Sequence, residues 1–351
     1  MRSTPPPGVA AALAAALLFG AAAPLAKLLL QTIGPWLLAG LLYLGSGLGL
    51  ALLRRLQAGE RVRLAPGEWP WLAGAIAAGG VAGPVLLMLG LAHLPAAQAS
   101  LLLNAEGVLT ALLAWFVFRE NVDRRVALGM ACIVAGGLAL AWPAQGAGAV
   151  AWGPMLLVVG ACAAWAIDNN LTRKVALADA SWIAMVKGLA AGVTNLALAL
   201  ALGAHWPAPN FVLAAGVLGL LSYGVSLVLF VRALRHLGTA RTGAYFSVAP
   251  FFGALLAVAL LDEPLTAKLA AAALLMGLGV WLHLTERHEY RHAHEATVHE
   301  HEHVHGAGDE HHAHEHEPPV PPGTRHSHRH EHVPLVHAHP HYPDAHHRHD
   351  H

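Results

Sequence analysis

The pentapeptides Leu91-Ala92-His93-Leu94-Pro95 and Leu234-Arg235-His236-Leu237-Gly238 read as two copies of one motif, 143 residues apart (234 against 91). The register continues without a gap for about thirty residues. Ala111-Leu112-Leu113-Ala114 falls on Ala254-Leu255-Leu256-Ala257, Glu120 on Glu263 and Gly136 on Gly279. Upstream the match weakens, but Phe19-Gly20 still falls near Trp165-Ala166 and Lys27 near Arg173, at an offset of 146 (173 against 27). The chain is therefore a duplication, and its fold is that of one copy taken twice.

Each copy holds five near-continuous apolar runs: 8–30, 34–53, 69–91, 95–117 and 125–142, then 151–172, 181–203, 210–232, 239–261 and 266–285. Runs of roughly 18 to 25 residues match the thickness of a bilayer core. Hydrocarbon offers no partner to a bare peptide group, and the runs are too long and uniform for barrel strands, so they are helices. The composition agrees: 56% of the 351 residues are hydrophobic and 12% charged, about half the charged share of a soluble domain. The predicted fold is all-α, ten transmembrane helices in two five-helix repeats, 8–142 and 151–285, with a soluble tail over 286–351. Gly8 to Leu30 exceeds a signal-peptide core and is read as the first span.

Lys and Arg mark alternate connections: Arg54, Arg55, Arg61 and Arg63, then Arg119, Arg124 and Arg125, then Arg173 and Lys174, then Arg235 and Arg241. The intervening connections are nearly bare of them. Positive residues resist translocation, so the marked loops and both termini are expected in the cytoplasm. Five spans is an odd number, so the second repeat must sit inverted relative to the first. Inverted repeats that bind between their halves near the midplane are a common build of alternating-access carriers.

The duplicated ten spans, with Phe118-Arg119-Glu120 ending one Leu-rich span and Leu261-Asp262-Glu263-Pro264-Leu265 ending its mate, resemble the EamA-type drug/metabolite transporter superfamily. The resemblance covers about 8–285. It implies an inner-membrane carrier with a central cavity lined by both halves. Where many members carry an Arg in the second and seventh spans, this chain has Tyr43 and Lys187.

Ionisable groups within spans are costly and mark functional sites or internal pairs. Glu106 lies mid-span in Leu103-Asn104-Ala105-Glu106-Gly107, Asp168 in Trp165-Ala166-Ile167-Asp168-Asn169-Asn170, and Lys187 about two turns into the seventh span. Asn104, Asn169 and Asn195 join them as candidates for substrate binding or coupling; joining helices by hydrogen bonds is their other role. Lys187 could equally be an internal partner of Asp168 or Glu106. Were all three charges to share one cavity, their sum would be −1. That favours a cationic or zwitterionic substrate, or a proton-coupled cycle through a desolvated Glu106. Gly20, Gly79, Gly80, Gly83, Gly136, Gly137, Gly277 and Gly279 suit close helix approach, and Pro24, Pro84 and Pro250 suit bends.

No nucleophile elbow, phosphate-cradling loop or zinc-hydrolase helix is present, so no enzyme is predicted. With 21 basic and 21 acidic residues, no positive field suits a nucleic acid. Cys132 and Cys162 sit in apolar runs and are expected as buried thiols.

The tail is a different material. Of 26 histidines, four (His93, His205, His236 and His283) lie at span ends and the other 22 follow Glu286. With little to bury, the tail is expected to be disordered. His299, His301 and His303, then His311, His312, His314 and His316, then His326, His328 and His330 repeat at close spacing. Imidazole suits Zn²⁺, Ni²⁺ or Co²⁺, so the tail is expected to bind such ions, although no cofactor is required. A pH response near the histidine range is an alternative use.

The leading expectation is a secondary carrier that exports a small polar metabolite. The alternatives are a divalent-metal carrier and a membrane-anchored metal store or sensor. The expected partners are the bilayer, a small-molecule substrate and divalent metal ions, with a homodimer left open.

Overall fold

The computed structural model describes residues 7–56, 64–118, 124–141, 152–175, 179–285, 289–294, 297–304, 325–332 and 335–340. The first half contains α1 (Pro7–Gly20), α2 (Ala22–Leu29), α3 (Pro35–Leu56), α4 (Trp69–Ala75), a π-helical segment Ile76–Ala82, α5 (Gly83–His93), α6 (Ala96–Leu102), α7 (Ala105–Phe118) and α8 (Arg124–Ala141). The second half contains α9 (Trp152–Thr172), α10 (Ala180–Ala201), α11 (Pro209–Gly219), a π-helical segment Leu220–Val225, α12 (Ser226–Phe246), α13 (Ala249–Leu260) and α14 (Ala267–Leu284). Among the described residues, eight helical stretches are long and apolar enough to cross a membrane, and Ala249–Leu260 and Ala267–Leu282 are shorter apolar helices. Phe116, Leu213, Leu255 and Leu274 stand exposed on the helix surfaces, as suits hydrocarbon rather than water. Trp69 and Trp152 begin their helices, where indole prefers the membrane interface.

The duplication shows in the packing. α3 lies against α10 and α8 against α14, each joining a helix to its own repeat-mate. α1 lies on α12 and α5 on α9, so first and third helices exchange partners between the halves. These are the most extensive helix contacts among the described residues, and Met1–Glu286 forms one compact unit. Glycine makes the central seam close: a Cβ added to Gly47 would lie 2.5 Å from the Leu189 nitrogen, and one on Gly188 2.8 Å from the Gly47 Cα. Small residues permit such backbone approach between membrane helices.

The spans are less continuous than their composition suggests. Both third helices carry a π segment at matching positions, 76–82 and 220–225. The fourth span opens at Leu103-Asn104, and its mate at Ser247-Val248. The expected ninth span, 239–261, is corrected: residues 239–246 continue α12, and α13 starts only at Ala249, with Pro250 in its first turn. The cause is the motif itself. Pro95 forces Leu94 into an extended conformation (φ −112°, ψ 151°) and ends α5, whereas Gly238 at the same place lets the helix run on.

Arg287–His351 forms a separate unit. β1 (Glu289–His294) pairs antiparallel with β4 (Leu335–Pro340), and β2 (Thr297–Val304) with β3 (Arg325–His332). The register sets His299 opposite His330, His301 opposite His328 and His303 opposite His326. His311, His312, His314 and His316 lie outside the described residues.

Candidate functional site

The π segment Ile76–Ala82 organises the site. Widening the helix withdraws carbonyls from the regular ladder, and three side chains from other helices take them up. The Tyr43 hydroxyl and the Trp165 indole N–H both donate to the Gly79 carbonyl at 2.9 Å. Asn195 Nδ2 donates to the Gly80 carbonyl at 3.1 Å. A Cβ on Gly79 would lie 1.9 Å from Asp168 Oδ2, so glycine is what lets α9 approach here.

Next to this segment is a cavity of about 420 Å³. The first half lines it with Phe19, Tyr43, Ser46 and Glu106; the second lines it with residues of α9, α10, the second π segment and α12, including Trp165, Asn169, Thr172, Lys187 and Tyr223. Asp168 sits behind the lining, 6% exposed. Lys187 Nζ donates to both its oxygens, at 2.5 and 2.6 Å, and the Thr172 hydroxyl donates to Oδ1 at 2.9 Å. Glu106 lies in the first turn of α7, immediately after the break at 103–104. A carboxylate is favoured at a helix N-terminus. Asn169 Nδ2 donates to Glu106 Oε1 at 2.9 Å, with Thr110 Oγ1 at 3.4 Å from the same nitrogen.

The structure thus brings together four of the six residues picked from sequence: Glu106, Asn169, and the paired Asp168 and Lys187. It keeps Asn104 and Asn195 out of the cavity lining. Asn104 is buried and donates to the Leu101 carbonyl at 2.9 Å, closing the end of α6. Sequence reasoning did not single out the rings of Phe19, Trp165 and Tyr223. Phe19 and Trp165 are repeat-mates, which marks them as equivalent positions without showing that they face a cavity.

Thr172 at the end of α9 and Ala180 and Ile183 at the start of α10 belong to the lining, so one end of the cavity reaches these helix ends. There Asp179 caps α10, accepting from the Trp182 N–H at 2.8 Å and the Ser181 hydroxyl at 2.5 Å, with the Arg54 guanidinium in an ion pair. Partial burial works against its ionisation, but the Ser181 and Trp182 hydrogen bonds and the Arg54 charge outweigh it and hold the carboxyl below its usual range.

At the far end of the helices, Lys27 and Glu263 secure the break made by Pro95. Lys27 Nζ donates to the carbonyls of Leu91, Ala92 and Leu94 at 2.6, 3.1 and 2.9 Å. Glu263 accepts from the N–H groups of Ala96 and Ala97 at 2.5 and 2.8 Å. One residue from each half thus satisfies backbone groups that the interruption leaves open.

A duplicated bundle of apolar helices, with a charged and aromatic cavity lined by both copies, defines a multi-pass membrane transporter rather than an enzyme. The chain belongs to the EamA-like transporter family, whose model matches residues 6–142 and again 152–285. It is 28% identical over 293 residues to an uncharacterized transporter of Methanothermobacter thermautotrophicus, covering 78% of this chain and 85% of that one. A crystal structure of another protein superposes with a TM-score of 0.60 at 20% identity, covering 79% of this chain and 96% of that one, and shows the same fold.

Proposed function

We propose that the protein is a secondary carrier that exports a small polar metabolite across an inner membrane, with both termini in the cytoplasm. The observation that carries this reading is the cavity's position: residues of both repeats line it, and Glu106 there accepts a hydrogen bond from the neutral amide of Asn169. Two interrupted helices from opposite halves, at 103–104 and 247–248, supply the irregular backbone on which carriers build such sites. The Lys- and Arg-rich connections support the orientation.

The His-rich tail is proposed to bind Zn²⁺, Ni²⁺ or Co²⁺, supported by its imidazole density. The cavity itself does not favour a metal as cargo. Among the described residues no three His, Cys, Asp or Glu side chains gather where an ion could be held.

Proteoliposomes containing the full chain or residues 1–285 test both parts. Organic-solute counterflow by both forms, with Zn²⁺ retained only by the full chain, is the expected outcome. Uptake of Zn²⁺, Ni²⁺ or Co²⁺ that collapses in Glu106→Gln would replace this reading with a metal carrier. Metal binding by the full chain without transport of any solute would leave only a metal store or sensor.

A further inference from the structure

The cavity's lining defines its cargo more closely than "polar", and the argument rests on the reading of this cavity as the transport site. Consider charge first. Asp168 and Lys187 cancel each other through two short contacts, and among the described residues Lys187 is the one basic residue lining the cavity. Glu106 is left with one neutral donor, Asn169. With Glu106 ionised, the cavity lining holds one more negative charge than the Asp168–Lys187 pair cancels.

The rings come next. Phe19 meets Tyr223 edge-on, centroids 5.9 Å apart at 84°, and Tyr223 meets Tyr43 at 5.6 Å and 36°. Trp165 joins this arc through the Gly79 carbonyl it shares with Tyr43. The polar atoms of Tyr43 and Trp165 are occupied by that backbone oxygen, so the two residues offer the cavity mainly π surface. A carboxylate beside an aromatic arc attracts a cation in two ways, by its charge and by the ring quadrupoles. An anion would meet repulsion from both, and a neutral solute would leave Glu106 unpaired.

A bare metal ion fits poorly, because rings cannot replace the oxygen or nitrogen ligands it requires. The volume of about 420 Å³ is that of a small-molecule pocket. We infer that the site takes a small monovalent organic cation, an amine or quaternary ammonium with an apolar body, whose charge lies between Glu106 and the arc of Phe19, Tyr223, Tyr43 and Trp165.

Four probes sharing one ring test this: benzylammonium, benzyltrimethylammonium, benzyl alcohol and benzoate, titrated calorimetrically into the purified full-length protein at neutral pH. Both cations are expected to bind, with the alcohol and the anion at least about tenfold weaker. Glu106→Gln should weaken both cations about tenfold. Tyr223→Leu should weaken benzyltrimethylammonium more than benzylammonium, because the quaternary group cannot hydrogen-bond to Glu106 and depends more on the rings. Equal binding of benzoate or benzyl alcohol, no binding of either cation, or cation binding unmoved in a monodisperse Glu106→Gln protein would overturn the inference. Counterflow in proteoliposomes separates its failure from that of the carrier reading. Counterflow of neutral or anionic solutes alone removes the cation site and keeps the carrier, whereas cation binding without any counterflow keeps the site and removes the carrier.

Discussion

Gly79 shows how much one hydrogen atom decides at the residue scale. Its missing Cβ is the space that Asp168 Oδ2 occupies, so Gly79→Ala should cost about 1–3 kcal/mol through overpacking, seen as a lower melting temperature in detergent. Gly137→Ala, where the new carbon would meet nothing closer than 3.7 Å, should leave that temperature unchanged. The Asp168–Lys187 pair obeys a different rule. Removing one partner strands a charge, so Asp168→Asn should destabilise by about 3–5 kcal/mol, while the double change Asp168→Leu with Lys187→Met should recover most of the loss. These charges were legible in the sequence because a carboxylate or ammonium in an apolar run has few reasons to be there. The rings were not, because Phe19, Trp165 or Tyr223 in such a run reads the same whether it faces lipid, a neighbouring helix or a cavity. Asn104 and Asn195 were ambiguous for a related reason: an amide serves a helix end or a π-segment carbonyl as readily as a solute.

Elements are governed by what happens at their ends. Glu263 accepts from the Ala96 and Ala97 N–H groups, and hydrogen bonds to a charged acceptor are worth about 1.5–3 kcal/mol each. Glu263→Ala should therefore lower thermal stability by a few kcal/mol and raise hydrogen exchange at Ala96 and Ala97 relative to α3. At the start of α10 the acid is Asp179, whose carboxyl titrates lower in the folded protein than in the unfolded chain. Its stabilisation is full above the ordinary aspartate range near pH 4 and is lost as pH falls through the lower folded value. Asp179→Asn should flatten that acid-side slope, and Asp179→Ala should cost about 1 kcal/mol at neutral pH. The existence of the spans was legible from hydropathy, since any membrane helix needs a continuous apolar run. Their interruptions were not: nothing in Leu103-Asn104 or Ser247-Val248 marks them off from the small and apolar residues around them. The ninth span was misplaced because an apolar run does not show where a helix breaks, and Gly238 does not enforce the break that Pro95 makes in the first copy.

For the whole molecule, the duplication was the most legible feature, since offsets of 143 and 146 residues survive divergence that erases individual side chains. What the offsets could not show is how the copies join. Removing residues 286–351 should leave solute counterflow within about twofold of the full chain, roughly 0.4 kcal/mol in activation terms, while abolishing Zn²⁺ retention. The helix pairs with the most extensive contact, α3 with α10, α8 with α14, α1 with α12 and α5 with α9, all run between copies. That arrangement has a consequence for how the protein is made. When the first five helices have left the ribosome, every surface destined for the seam is still bare, with Gly47 and Gly79 facing lipid or a chaperone in place of α10 and α9. The early half must wait in the membrane, unfinished, until its twin is synthesised.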